Sequence, residues 1–223
     1  MRRLLPTLAI ALLAAGCGGT KTLTVTETTT VTRPSAAGAT VRVYFLRDGK
    51  VAPVARSPGS IAATILAAAV DAGPTAAERA AGFAPATGRG RLAALVYTLS
   101  QFDPRAPVEV EGKRYTRADF EDLTPTILVE APLPFQPVSS PLRVMGTANT
   151  FEATFDYELL DAGGKVLSHH FETATSGSGT RGTFDFTVPF TAPNGPGRLV
   201  LFEESAADGS RIHQVEIPLT LTR

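Results

Sequence analysis

Three histidines, a single cysteine and a few grouped carboxylates are the side chains in this 223-residue chain with the reactivity to do chemistry. His169 and His170 invite a metal ion, because neutral imidazole is the commonest metal ligand. Neighbours on a strand point to opposite faces, however, so the pair does not chelate one ion. His213 lies far along the chain in another expected strand. No His-Glu-x-x-His or Gly-x-Ser-x-Gly spacing occurs. The run Ser176-Gly177-Ser178-Gly179-Thr180-Arg181-Gly182 lacks the following helix and the Lys-Ser/Thr of a phosphate cradle, and reads as a flexible hairpin loop. Glu203, Glu204 and Asp208 offer the oxygen ligands calcium takes, at a spacing that matches no EF-hand. They read either as turn formers or, with Phe151 and Glu152, as a partner surface; Glu152 either bonds backbone groups in its own turn or faces that partner. Asp119, Glu121 and Asp122 fall on one short helix as its solvated, N-terminally favourable side. These residues predict no catalytic site, no metal and no cofactor: the chain reads as a non-enzyme.

Cys17 is different, because its position assigns it a reaction. Arg2 and Arg3 make a charged n-region, Leu4 to Leu13 an apolar h-region, and Ala14-Ala15-Gly16 a small-residue cleavage site. A lone cysteine directly after such a site resembles the lipobox of bacterial lipoproteins. The resemblance implies that residues 1–16 are a signal peptide, that Cys17 is acylated, and that the protein is displayed on the extracytoplasmic face of the cell membrane. Acyl chains contribute about 0.8 kcal/mol per buried CH₂, enough in a doubly or triply acylated cysteine for stable anchoring. The competing reading is an ordinary secretory signal with an incidental cysteine.

Composition agrees with that placement. Lys+Arg and Asp+Glu are equal at 21 each, and loss of Arg2 and Arg3 with the leader leaves 19 against 21. A mildly acidic balance argues against nucleic acid as a partner. With one cysteine in the chain, disulfides and Cys-based zinc sites are excluded. No run after the leader approaches the roughly 18 apolar residues of a membrane span.

Residues 17–40 are threonine-rich and end in Pro34-Ser35, which predicts a tether. Extended, some 23 residues reach on the order of 75–80 Å. The first folded unit, 41–130, opens with a β-branched and aromatic run at Val41–Leu46, a turn at Arg47-Asp48-Gly49 and a return strand over Val51–Arg56. Ser60 is placed to cap a helix bearing Ile61, Ile65, Leu66, Ala69 and Val70 on one side. Gly73-Pro74 stops it, and Thr75-Ala76-Ala77-Glu78 has capping-box spacing. A second helix is expected over Gly90–Ser100, a short strand at Val108–Val110, a third short helix at Thr116–Glu121, and a closing strand at Thr126–Val129. Val43-Tyr44-Phe45, Ala72-Gly73-Pro74-Thr75-Ala76-Ala77-Glu78-Arg79 and Leu95-Val96-Tyr97-Thr98-Leu99-Ser100-Gln101-Phe102 resemble the GerM-type sporulation and spore-germination domain. That resemblance implies an α+β domain, a small sheet with packed helices, akin to ring-building modules. Here only Phe83 to Arg89 separates two helices between which the family places further strands, so the domain is shortened, which weakens any expectation of self-assembly.

Ala131-Pro132-Leu133-Pro134 reads as a linker, and from about Val138 the pattern turns all-β. Strands are expected at Leu142–Ala148, Ala153–Leu160, Val166–Thr173, Thr183–Phe190, Arg198–Glu203 and Ile212–Leu221, with Phe155, Tyr157 and Leu159 alternating inward and a hairpin at Asp161–Lys165. Val138-Ser139-Ser140-Pro141-Leu142, Gly146-Thr147-Ala148-Asn149, Phe151-Glu152-Ala153 and Phe202-Glu203-Glu204-Ser205-Ala206-Ala207-Asp208-Gly209-Ser210 resemble the immunoglobulin-like domain of bacterial spore germination. The fold expected is therefore an α+β domain followed by an immunoglobulin-like β-sandwich over 131–223. The function expected is a membrane-anchored envelope lipoprotein that engages a protein partner without catalysis. Cell-wall glycan or small-ligand binding is the alternative, and the absence of tryptophan weighs against sugar platforms.

Overall fold

The computed structural model describes residues 40–223. The expected leader, the expected lipidation site at Cys17 and the expected Thr-rich tether lie outside the described residues. Among the described residues no helix is long and apolar enough to cross a membrane.

The first unit starts with β1 (Val41–Arg47) and β2 (Lys50–Arg56), an antiparallel hairpin. Its chain then folds into α1 (Ala63–Asp71), α2 (Ala76–Ala80) and α3 (Gly88–Leu99). The short segment between α2 and α3 adds a strand to the sheet, because Phe83–Ala84 (β3) pairs with the free edge of β1 and gives the order β2-β1-β3. The small hairpin β4 (Val108–Val110) and β5 (Lys113–Tyr115) and a 3₁₀ segment (Arg117–Leu123) follow. Valines, Tyr44, Phe45, Phe83 and the buried sides of α1 and α3 make one core.

Ser60 does not cap α1. The helix begins after Ala62, and the Ser60 hydroxyl accepts the Ala62 N–H at 3.2 Å in the approach to it. The helix face rotates accordingly: Leu66 and Val70 are buried, whereas Ile65 is 44% exposed. The capping box at α2 forms as the spacing requires. Thr75 Oγ1 accepts the Glu78 N–H at 3.3 Å and Glu78 Oε2 accepts the Thr75 N–H at 2.7 Å. Glu78 also takes a two-pronged grip from Arg56 at 2.5 and 2.7 Å. Thr75→Ala removes one cap bond and is expected to cost about 1 kcal/mol in urea unfolding, with the Arg56–Glu78 pair intact.

The second unit is a sandwich of two sheets. β11 (Gly182–Val188), β8 (Leu142–Ala148) and β6 (Ile127–Ala131) form one; β10 (Val166–Thr173), β9 (Thr154–Asp161), β12 (Gly195–Glu204), β13 (Arg211–Leu221) and β7 (Pro137–Val138) form the other, each in that order. Alternation along β9 sends Phe155, Tyr157 and Leu159 inward. The Phe155 ring meets that of Phe184 at 4.9 Å, and Tyr157 stacks on Phe186 at 5.0 Å.

Strand β6 departs from expectation. The sequence assigns it to the first unit as a closing strand, yet its backbone pairs with β8 in the sandwich. Both its faces are buried. Ile127 and Val129 enter the sandwich core, Leu128 enters the core of the first unit, and Glu130 reaches toward Tyr44 on β1. Period-two geometry thus lets one strand serve two cores.

Candidate functional site

The elements around β6 bring three features together: a buried ionic junction, a strained loop tip and a cleft. In the junction, Glu130 accepts from the Tyr44 hydroxyl and from Arg117 Nη1, the latter at 2.9 Å, with Arg42 Nε 3.9 Å away. Arg117 is held further by Ser100 Oγ at 3.0 Å, and its guanidinium lies 4.6 Å from the Tyr97 ring centroid. Burial alone would raise the Glu130 pKa; the Arg117 and Arg42 charges and the hydrogen bonds from Tyr44 and Arg117 outweigh it and hold the carboxyl below the usual glutamate range. Burial, reinforced by the Glu130 charge, pushes the Tyr44 phenol well above its ordinary value. A second bridge crosses between the units where Arg181 clamps Glu121 at 2.9 Å and donates to the Pro125 carbonyl. These residues are structural. The sequence reading missed them, although a glutamate inside the apolar run Ile127-Leu128-Val129-Glu130 signals a buried charge that needs a partner.

The tip is the β8–β9 loop. Phe151 is 60% exposed there, followed by Glu152 and Ala153 with φ of 53° and 62°. Such backbone costs of order 1–3 kcal/mol per residue and persists only where neighbours enforce it. The neighbours are plain. Phe151 N–H donates to Glu203 Oε1 at 2.8 Å, Glu152 N–H to Ser178 Oγ at 3.0 Å, and Ser178 N–H to the Thr150 carbonyl at 2.8 Å. Gly177 closes against the loop so tightly that a Cβ would sit 2.4 Å from both Ala153 N and the Thr150 oxygen. The Ser176–Gly182 run, read from the sequence as a flexible hairpin loop, is thus the buttress of this tip.

The expected partner-surface residues separate into distinct roles. Phe151 and Glu152 are exposed, and among the described residues the Glu152 carboxylate has no hydrogen-bond or ion-pair partner. Glu203, grouped with the exposed carboxylates in the sequence, is 8% exposed; it holds Phe151 through one oxygen and His213 Nδ1 at 2.8 Å through the other. Glu204 is exposed opposite Arg211 in the ladder. The Asp208 carboxylate binds the side chain and backbone N–H of Ser210, which lower its pKa, and so forms the β12–β13 turn. Of the histidines, His169 lies 3.4 Å from Asp156 and His170 packs on Phe171. Among the described residues no group of three His, Cys, Asp or Glu side chains is placed to hold a metal.

Between the β1–β2 hairpin and the sandwich lies a half-open cleft of about 500 Å³. Residues 125–129 and 213–217 line it, together with the β1–β2 hairpin, Phe83 and Pro134. At β13 the ladder shifts register beside His213, whose φ is 52°. Arg47 donates to the Glu216 carbonyl at 2.7 Å and covers Phe83, while Lys50 donates to the Asp122 carbonyl at 2.7 Å. This cleft has no signature in the sequence, since its walls come from segments far apart in the chain.

No curated protein matches the chain. Among solved structures, CopC from Methylosinus trichosporium OB3b is similar over 43% of this chain and 92% of its own, at 15% identity and a TM-score of 0.29, too slight a likeness to bear on function. Residues 126–210 match the family described as the immunoglobulin-like domain of bacterial spore germination, and over those residues, with β6 included, the chain carries an immunoglobulin-like domain.

Proposed function

We propose that the protein is a non-catalytic envelope lipoprotein, held at the extracytoplasmic face of the membrane through Cys17, whose sandwich tip grips a protein partner. The observation that carries this reading is Phe151, a large ring exposed at the end of a loop whose backbone strain is maintained from Glu203, Ser178 and Gly177. An exposed aromatic residue carried on a fixed backbone makes an effective anchor, because little backbone freedom remains to be lost on binding. The lipobox-like leader, the GerM-like features of the first unit and the germination-type sandwich support the same placement. In-cell crosslinking with mass spectrometry tests it. A discrete envelope protein captured by the wild type is expected to fall roughly tenfold or more in Phe151→Ala, as for an interface hot spot, and similarly in Gly177→Ala, which displaces the tip. Cys17→Ser should release the protein from the membrane fraction. Equal capture by Phe151→Ala overturns the tip as the contact.

The cleft favours a second reading, a small-ligand module, since its volume lies within the range of ordinary ligand pockets. Retention of the Phe151→Ala variant on purified peptidoglycan would favour it.

A further inference from the structure

We infer that the open edge of β10 is a self-association surface, on which a second copy of this chain pairs its own β10, antiparallel, about a two-fold axis at Phe171.

β10 ends the five-stranded sheet and, among the described residues, pairs with β9 alone. Two bonds at the ends of this ladder fix which backbone groups it uses. Ala174 N–H donates to the Ala153 carbonyl at 2.9 Å, and Asp161 N–H donates to the Lys165 carbonyl at 3.0 Å. Every second residue of β9 between them, Phe155 and Tyr157 included, therefore bonds toward β10, where the register partners are Glu172 and His170. His169, Phe171 and Thr173 then direct their N–H and C=O groups to the open side. The Phe171 carbonyl agrees, since its bond is to the neighbouring His170 Nδ1, which donates to it at 2.8 Å. The residues of this edge are accessible: His169, His170, Phe171 and Thr173 are exposed, Phe171 at 59%. From Ser168 to Thr173 there is neither proline nor lysine, the residues that commonly blunt an edge strand.

The side chains name the occupant. A two-fold axis normal to the sheet at Phe171 sets that ring opposite its own copy. On either side of it, His170 of one copy falls opposite Glu172 of the other. His170 and Glu172 share the face of Tyr157 and Phe155, while Phe171 lies on the other face beside Asp156. One face thus gains two imidazole–carboxylate pairs and the other an aromatic pair, both stabilising cross-strand combinations. The Glu172 carboxylate is available for this, having no hydrogen-bond or ion-pair partner among the described residues. Moving the axis by one residue loses the match. Centred on Glu172 it opposes two carboxylates, and centred on His170 it opposes two imidazoles. The contact is isologous, consumes the open edge of both copies and closes at two.

The test is sedimentation equilibrium with amide hydrogen exchange on the full chain carrying Cys17→Ser, from micromolar to millimolar concentration. Dimer is expected to rise with concentration and to slow exchange at His169, Phe171 and Thr173 roughly tenfold or more, while His170 and Glu172, already bonded to β9, stay unchanged. Phe171→Lys, and His170→Glu alone, should each weaken association about tenfold. Combining His170→Glu with Glu172→His should restore it, because the exchange rebuilds both cross-strand pairs. Phe151→Ala should dimerise as the wild type does. A chain that stays monomeric, or a double variant that does not recover, overturns the inference. Protection that is independent of concentration assigns the edge to residues before Thr40 and overturns it as well. So does protection that appears only when envelope extract is added, which assigns the edge to a different protein, and loss of association in Phe151→Ala, which moves the contact to the tip.

Discussion

Glu130→Ala is expected to lower stability by about 3–5 kcal/mol, the cost of leaving a buried partner charge uncompensated. Removal of the carboxylate strands Arg117, which is packed between the Tyr44 and Tyr97 rings, and orphans the Tyr44 hydroxyl. Because Leu128 and Glu130 join β6 to the first unit, the variant should also separate the unfolding of the two halves, seen as two urea transitions monitored by different probes. The pH dependence follows from the depressed folded-state pKa. The stabilisation from Glu130 is fully present above its unfolded value of about 4.3 and is lost as pH falls through the lower folded value. Wild-type stability should therefore drop below about pH 4, and Glu130→Gln should flatten that part of the profile. An unchanged acid limb in the glutamine variant would remove Glu130 from the account.

Gly146→Ala is the second large effect. Gly146 lies on β8, the middle strand of its sheet, opposite Val129 on β6 and Phe184 on β11. A Cβ there would sit 2.0 Å from the Leu128 carbonyl oxygen and 2.6 Å from Phe184 Cζ. The ring can rotate, but the carbonyl belongs to a strand seated in two cores and has nowhere to retreat. Overpacking of this kind costs about 3 kcal/mol or more when backbone must move. The urea midpoint should fall and the folded yield with it; a midpoint equal to wild type would show that β6 yields more easily than its burial implies.

The sequence is legible where the physics is local. The capping box of Thr75 and Glu78 needs only one turn of chain, and the inward alternation of Phe155, Tyr157 and Leu159 needs only one strand. The first helix starts later than the Ser60 signal implies, because Ser60 satisfies a nearby N–H without starting a helix. The allegiance of β6 escaped because Ile127-Leu128-Val129 reads equally well as the last strand of one unit or the first of the next. Its unbroken apolar run, the mark of a strand buried on both faces, is compatible with either. At the tip, Phe151 and Glu152 were legible as exposed turn residues, whereas the burial of Glu203 depends on a bond to a loop some fifty residues away. The cleft was invisible for the same reason: 47–53, 125–129 and 213–217 meet only through topology.

The strand that belongs to two cores also sets how the molecule carries load. In the anchored arrangement proposed above, a pull between Thr40 and a partner at Phe151 passes through β6, which the ionic junction pins on one side and the β8 ladder on the other. Neither half can swivel without dragging that strand out of a packed interior. In that proposed arrangement the folded body would work as a stiff coupling that delivers tension to the tip with its aim preserved.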